Sequence, residues 1–184
     1  MMNKSIGSIE FRSISKGIET SNEIVKRCNV QVIYAKSICP GKFIIIISGD
    51  ASEILDAVNY GLELDRKYVV DSFILNRVHN EIIDGLKSKY KTKNIEGLAI
   101  GIMETNTVCS GILGLDKALK SADVTLVKIQ LAFGIGGKLV YIVSGTLSSV
   151  EQSINTSTEC LESKNIIASS IIPSPEVEFI KQII

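Results

Sequence analysis

Four cysteines, at positions 28, 39, 109 and 160, and a single histidine, His79, are the side chains best suited to hold a soft metal or to pair a nucleophile with its base. The cysteines form no C-x-x-C pair and show no regular spacing, which argues against a zinc knuckle or a disulfide framework built within one chain. A metal held by these thiols would need more than one subunit. His79 has no recognisable spacing to Cys39 or to a carboxylate, so a catalytic cysteine–histidine pair lacks motif support. Cys39 itself stands in Lys36-Ser37-Ile38-Cys39-Pro40-Gly41-Lys42, a tight turn just ahead of the aliphatic run Phe43-Ile44-Ile45-Ile46-Ile47. Packing has little use for a thiol in such a turn, so it is either an idle surface group or one with a chemical task.

Other candidate chemistry is thin. The glycines of Gly134-Ile135-Gly136-Gly137 invite comparison with phosphate loops, but the helix that would aim amides at a phosphate does not follow them, so a hairpin turn is expected. No acid paired with a base, nucleophile with its base or cofactor fingerprint emerges, and no enzymatic activity is expected. The 184 residues are 45% hydrophobic and 22% charged, ordinary for a chain with a buried core. Twenty Lys and Arg balance twenty Asp and Glu, which leaves no basic field for nucleic acid or an anionic membrane surface. The N-terminal segment has no continuous apolar region of the secretory kind, and the longest aliphatic stretch is Phe43 to Ile47. The expected setting is therefore cytosolic.

The elements that must position Cys39 repeat. Laid on itself, the sequence brings Ile6-Gly7 over Ile100-Gly101, Glu10 over Glu104, Gly17-Ile18 over Gly111-Ile112, Lys26 over Lys120 and Val30 over Val124. Beyond a two-residue insertion in the second copy, Gly41-Lys42 matches Gly137-Lys138 and Ser48-Gly49 matches Ser144-Gly145. The expected domains are residues 1–90 and 98–184, joined by a linker at 91–97 that continues a lysine-rich stretch. Lys138 has no cysteine before it, so Lys42 reads as part of a strand start more than as a device for activating Cys39.

Ile14, Ile18, Ser21, Val25 and Cys28 fall on one helical stripe, as do Val108, Ile112, Leu115, Leu119 and Ala122, and these stripes are expected to face the core. Cys28 and Cys160 then read as small core hydrophobes, while Cys109, at a helix start, stays open. Residues 29–36 and 43–48 read as antiparallel strands, Gly49-Asp50 opens a second helix with Ala51, Ile54 and Val58 inward, and residues 68–75 and 165–172 read as fourth strands. The order strand, helix, strand, strand, helix, strand predicts an α+β chain of two tandem ferredoxin-like (split βαβ) domains. Each is a four-stranded antiparallel sheet with helices on one face and an extra helix after it. Residues 43–47 are apolar on both alternations, which predicts burial on both sides of that strand and association beyond a monomer.

These repeats resemble the bacterial microcompartment shell-protein family, with a BMC domain in each copy. The resemblance rests on Ile6-Gly7-Ser8-Ile9-Glu10 and Ile100-Gly101-Ile102-Met103-Glu104, on Lys26 and Lys120, on the turns before Lys42 and Lys138, and on Ser48-Gly49-Asp50. It extends to Ile74-Leu75-Asn76-Arg77-Val78-His79, close to the family's Ile-Pro-Arg-Pro-His; the second copy keeps Pro173 and Pro175 but has Ser174 and Glu176. Both copies start at the first strand, so their order looks unpermuted. Two fused copies imply a homotrimer imitating a hexagonal shell tile, its central pore lined by Ile38, Cys39, Pro40 and Gly41 of one copy and Phe133, Gly134, Ile135, Gly136 and Gly137 of the other. The resemblance also implies that Lys26, Lys120 and Arg77 lie at tile edges, meeting other microcompartment shell proteins.

On such an axis three Cys39 thiolates converge. Iron–sulfur clusters are bound by cysteine thiolates, normally four, and a threefold axis supplies three. The intact Cys-Pro-Gly-Lys turn is similar to that of the PduT-type tandem shell proteins, which implies a 4Fe-4S cluster shared by three subunits, passing electrons or a cluster across the shell to an internal or cytosolic redox protein. Two other readings stand beside it: a metal-free shell pore for metabolites, and a ferredoxin-like small-molecule sensor.

Overall fold

The computed structural model describes residues 5–87, 97–132 and 134–183. Phe133 and, apart from Gly97, the expected linker lie outside them. The first copy runs β1 (Ser5–Phe11), α1 (Ile14–Arg27), β2 (Gln31–Ile38), β3 (Lys42–Gly49), α2 (Ala51–Asp65), β4 (Val69–Leu75) and α3 (Asn80–Leu86). The second repeats it as β5 (Ala99–Thr105), α4 (Val108–Ser121), β6 (Val124–Leu131), β7 (Leu139–Gly145), α5 (Leu147–Cys160), β8 (Ile166–Ile172) and α6 (Val177–Ile183). The sheets have strand orders β2-β3-β1-β4 and β6-β7-β5-β8 with every pair antiparallel, as the split βαβ pattern predicts.

The compact units do not follow the repeat border. One comprises Met1–Val78 with Thr107–Ser110 and Ala132–Gly137, and the other His79–Asn106 with Gly111–Leu131 and Lys138–Ile184. Each unit is thus completed by a segment of the other repeat.

In the first unit, Ile9, Phe11, Phe43, Ile45 and Ile47 meet Ile24 of α1 and Ile54, Ala57 and Val58 of α2. The stripe expected to bury α1 is displaced. Its buried residues are Gly17, Thr20, Ser21 and Ile24, while Ile14, Ile18 and Val25 face outward and Cys28 is half-buried. Close approach explains this: a Cβ on Gly17 would lie 2.7 Å from the Phe43 Cβ, so the helix settles on its small residues and leaves its branched ones outside. In α2 Ile54 and Val58 are buried as expected, whereas Ala51 is exposed.

The other face of this sheet is also closed. Ser8 and Glu10 of β1 stand opposite Ile46 and Ile44 of β3, all fully buried, so β3 is covered on both sides as its composition predicts. Over Ser8 and Glu10 lies the segment 107–110. The Val108 backbone N–H donates to Glu10 Oε2 at 2.9 Å, the Cys109 thiol approaches Ser8 Oγ at 3.4 Å, and the Thr107 and Ser110 hydroxyls donate to Asp71. The Glu10 carboxylate therefore caps the first turn of α4, where unpaired N–H groups and the helix dipole favour a negative charge.

In the second unit, α3 lies against the edge strand β6, with Ile82 fully buried and the Glu81 carboxylate accepting the Leu126 backbone N–H. Ile180 of α6 packs with Ile100, Val127 and Ile142. Tyr141, buried, donates to Ser157 at 2.7 Å, and burial pushes its phenol well above the usual tyrosine value.

Candidate functional site

Cys39 occupies the two-strand turn for which the sequence singled it out. β2 ends at Ile38, β3 begins at Lys42, and Ile38 pairs with Lys42 across the turn. The Cys39–Pro40 peptide is cis, and Gly41 adopts φ +80°, a left-handed conformation that glycine takes at no steric cost. Pro40 and Gly41 are exposed, Cys39 is half-buried, and nothing stands within 4 Å of a Cβ placed on Gly41. Ile38, expected in the same pore-lining set, differs from its neighbours in the turn. It is 4% exposed at the end of β2, although Lys36 and Ser37 before it are exposed, so the exposed part of this turn begins at Cys39.

The glycine turn of the second copy belongs to the same compact unit. Gly134 and Gly136 are exposed with open space around them, Ile135 is half-buried, and Gly137 is buried at φ +81°. No helix follows this turn; β7 does. A Cβ on Gly137 would stand 2.1 Å from the Cys39 carbonyl oxygen, and Lys42 Nζ donates to the Gly137 carbonyl at 3.4 Å. The two turns that the sequence analysis paired therefore touch. Gly137→Ala is expected to destabilise the protein by about 1–3 kcal/mol through its backbone conformation alone, before the clash with Cys39 is counted. Chemical denaturation measures this, and an unchanged midpoint would contradict the close contact.

Lys42 is held from below. Its ammonium forms an ion pair with Glu10, whose side chain is 0% exposed while that of Lys42 is 14% exposed. One carboxylate thus ties the base of the Cys39 turn to the α4 helix start. Burial pushes the Glu10 carboxyl above the usual glutamate range, against the opposing pull of Lys42 and the Val108 N–H. The sequence analysis missed this role of Glu10; the signal was a carboxylate on an otherwise apolar strand, repeated at Glu104. In the second unit Lys138 pairs with Glu104 at 2.8 Å, but there the carboxylate remains 31% exposed.

The remaining cysteines offer no second thiol to this turn. Cys109 is buried against Ser8, and desolvation pushes its thiol well above the ordinary value. Burial also raises the thiols of Cys28 and Cys160. Among the described residues no group of three or more His, Cys, Asp and Glu could hold a metal ion within the chain. Lys26 is exposed and paired with Glu23, Lys120 pairs with the buried Asp116, and Arg77 is exposed at φ +55° just after β4. The His79 backbone N–H donates to Asp116 at 2.9 Å, while its buried Nδ1 has no partner among the described residues. No helix among the described residues is long and apolar enough to cross a membrane.

Comparison with known proteins agrees with this architecture. A BMC domain model matches twice, at residues 5–78 and 99–175. The chain is 35% identical over its whole length to the bacterial microcompartment shell protein PduT of Citrobacter freundii, covering 99% of that protein. A carboxysome shell protein of Synechocystis sp., CcmK2, is 27% identical over 52% of the chain and 95% of its own length, so it corresponds to about half of this duplication. Among solved structures, a microcompartment protein from Desulfitobacterium hafniense superposes with a TM-score of 0.86 at 34% identity, over 97% of this chain and 98% of that one. The chain belongs to the bacterial microcompartment shell-protein family, as a member with two BMC domains in tandem.

Proposed function

We propose that this structural shell protein assembles as a trimer in which the turns at 39–41 and 134–137 ring a central opening, and that three Cys39 thiolates there hold an iron–sulfur cluster. The contact between Gly137 and the Cys39 carbonyl carries the reading, because it makes the two turns one rim, with the thiol carried on an exposed edge. A lone thiol cannot bind a cluster. Three copies around an axis supply three thiolates, which fits a four-iron four-sulfur group that takes its last iron ligand from elsewhere.

Bound there, the cluster supplies one-electron transfer across the wall. The chain's own residues hold the rim in place: Gly41 and Pro40 set the backbone beside the thiol, and Lys42, anchored on Glu10, fixes the foot of the turn. PduT is a microcompartment shell protein and matches this chain over its full length, which supports the same setting here. Purification without oxygen tests the proposal. Brown protein with about four iron and four sulfide per three chains is the expected result. Colourless protein after full reconstitution with iron and sulfide favours a plain metabolite pore instead.

A further inference from the structure

We infer that Glu10, acting through Lys42, is a positioning residue that couples electron transfer at the Cys39 rim to the uptake of a proton. This rests on the iron–sulfur reading above and adds to it the residue that tunes its redox level. The geometry is a short relay of contacts inside the first compact unit. Lys42 Nζ donates to the Gly137 carbonyl at 3.4 Å, and a Cβ on Gly137 would lie 2.8 Å from that ammonium and 2.1 Å from the Cys39 carbonyl oxygen. One point touches both, so the charge of Lys42 stands beside the backbone that carries the thiol. Glu10, 0% exposed, closes the relay from the other side as the ion-pair partner of Lys42.

A pair this dry is screened far less than one in water, so the gain or loss of a single charge is felt at the rim. Net charge and hydrogen bonding nearby are what set the reduction potential of a thiolate-bound cluster. Of the two partners, Glu10 is the one whose charge changes near neutral pH. It faces Lys42 from β3 and Asp71 from β4, its partner in the β1–β4 register. From the start of α4 it meets the Val108 N–H and the buried Cys109 thiol. Burial and the negative charge of Asp71 favour the neutral acid, Lys42 and the Val108 N–H favour the carboxylate, and the balance holds the carboxyl above the usual glutamate range.

An electron delivered to the rim by a one-electron redox protein adds a further negative charge nearby, which pushes this equilibrium toward the acid. Glu10 then takes one proton from solvent and becomes a neutral carboxylic acid, and it releases that proton when the electron is passed on. Lys42, no longer facing an anion, presents its full positive charge to the reduced rim.

Spectroelectrochemical titration of the protein reconstituted with iron and sulfide, repeated across pH, tests this, with circular dichroism as the check on folding. The parent's potential is expected to fall as pH rises above the ordinary glutamate range. Glu10→Gln is expected to remove that slope and to hold the potential at the parent's acid limit, because Lys42 then keeps its unpaired charge at every pH. Glu10→Gln combined with Lys42→Met removes both charges and so leaves no unpaired ion in the core. It is expected to be equally flat and to lie lower, by at least about tenfold in the reduced-to-oxidised ratio at a fixed donor potential, or about 59 mV for one electron. A carboxylic-acid band should appear in the parent's reduced-minus-oxidised infrared spectrum and be missing from both variants. A parent without the slope, a variant that keeps it, or a double variant level with Glu10→Gln overturns the inference and leaves the cluster reading standing. A parent that stays colourless after reconstitution overturns the cluster reading and this inference with it.

Discussion

Cys39→Ser is expected to leave the assembled particle intact while emptying it of iron, from about four atoms per three chains to close to none. The effect is large because in the proposed trimer symmetry multiplies it: one substitution would remove every protein thiolate from the rim at once. Serine is a hard, neutral ligand at ordinary pH and does not replace a thiolate for iron. The turn should survive, since its shape comes from Pro40, Gly41 and the Lys42–Glu10 pair. Cys28→Ser and Cys160→Ser are the controls, each half-buried elsewhere in the fold, and both should keep the metal. Iron and sulfide assays with the visible spectrum decide it. A Cys39→Ser protein as rich in iron as the parent would end the cluster proposal.

Glu10→Ala is expected to cost about 3–5 kcal/mol, because it leaves the mostly buried Lys42 ammonium uncompensated. It also deprives the Val108 N–H of its acceptor. That is a large part of the 5–15 kcal/mol typical of a folded domain. Denaturant midpoints would measure it, and a loss below about 1 kcal/mol would show the ion pair to be dispensable. Glu10→Gln isolates the proton. Burial sets the folded pKa above the unfolded value near 4.5, so the folded state binds the proton more tightly. The stability this confers is complete below that value and is lost as pH rises through the raised one. The glutamine variant is expected to flatten that part of the stability curve; an unchanged slope would mean that another group titrates.

The duplication, the strand order and the Cys39 turn were all legible in the sequence because each has a local signature. Matching glycines and lysines marked the repeat, alternation marked the strands, and a Pro-Gly pair marked the turn. The burial of α1 was not legible. Periodicity finds the apolar face of a helix, but here Gly17 and its small neighbours took the packed side, and Ile14 and Ile18 stayed outside. The burial of Ile38 was hidden by its place beside Cys39. The clamp of Glu10 on Val108 joins residues far apart in sequence, and a lone carboxylate in a strand does not name its partner. Cys109, open on sequence grounds, became a packed thiol only once the segment 107–110 was seen over Ser8.

The double burial of β3 carries a risk for the newly made chain. Phe43 to Ser48 is a six-residue window of high strand propensity without charge, proline or glycine, the composition of a fibril-forming segment. On the ribosome it emerges well ahead of residues 107–110, so an uncovered sticky strand exists for part of synthesis. Lys42 before it and Asp50 after it are placed as charged gatekeepers against premature clumping between nascent chains.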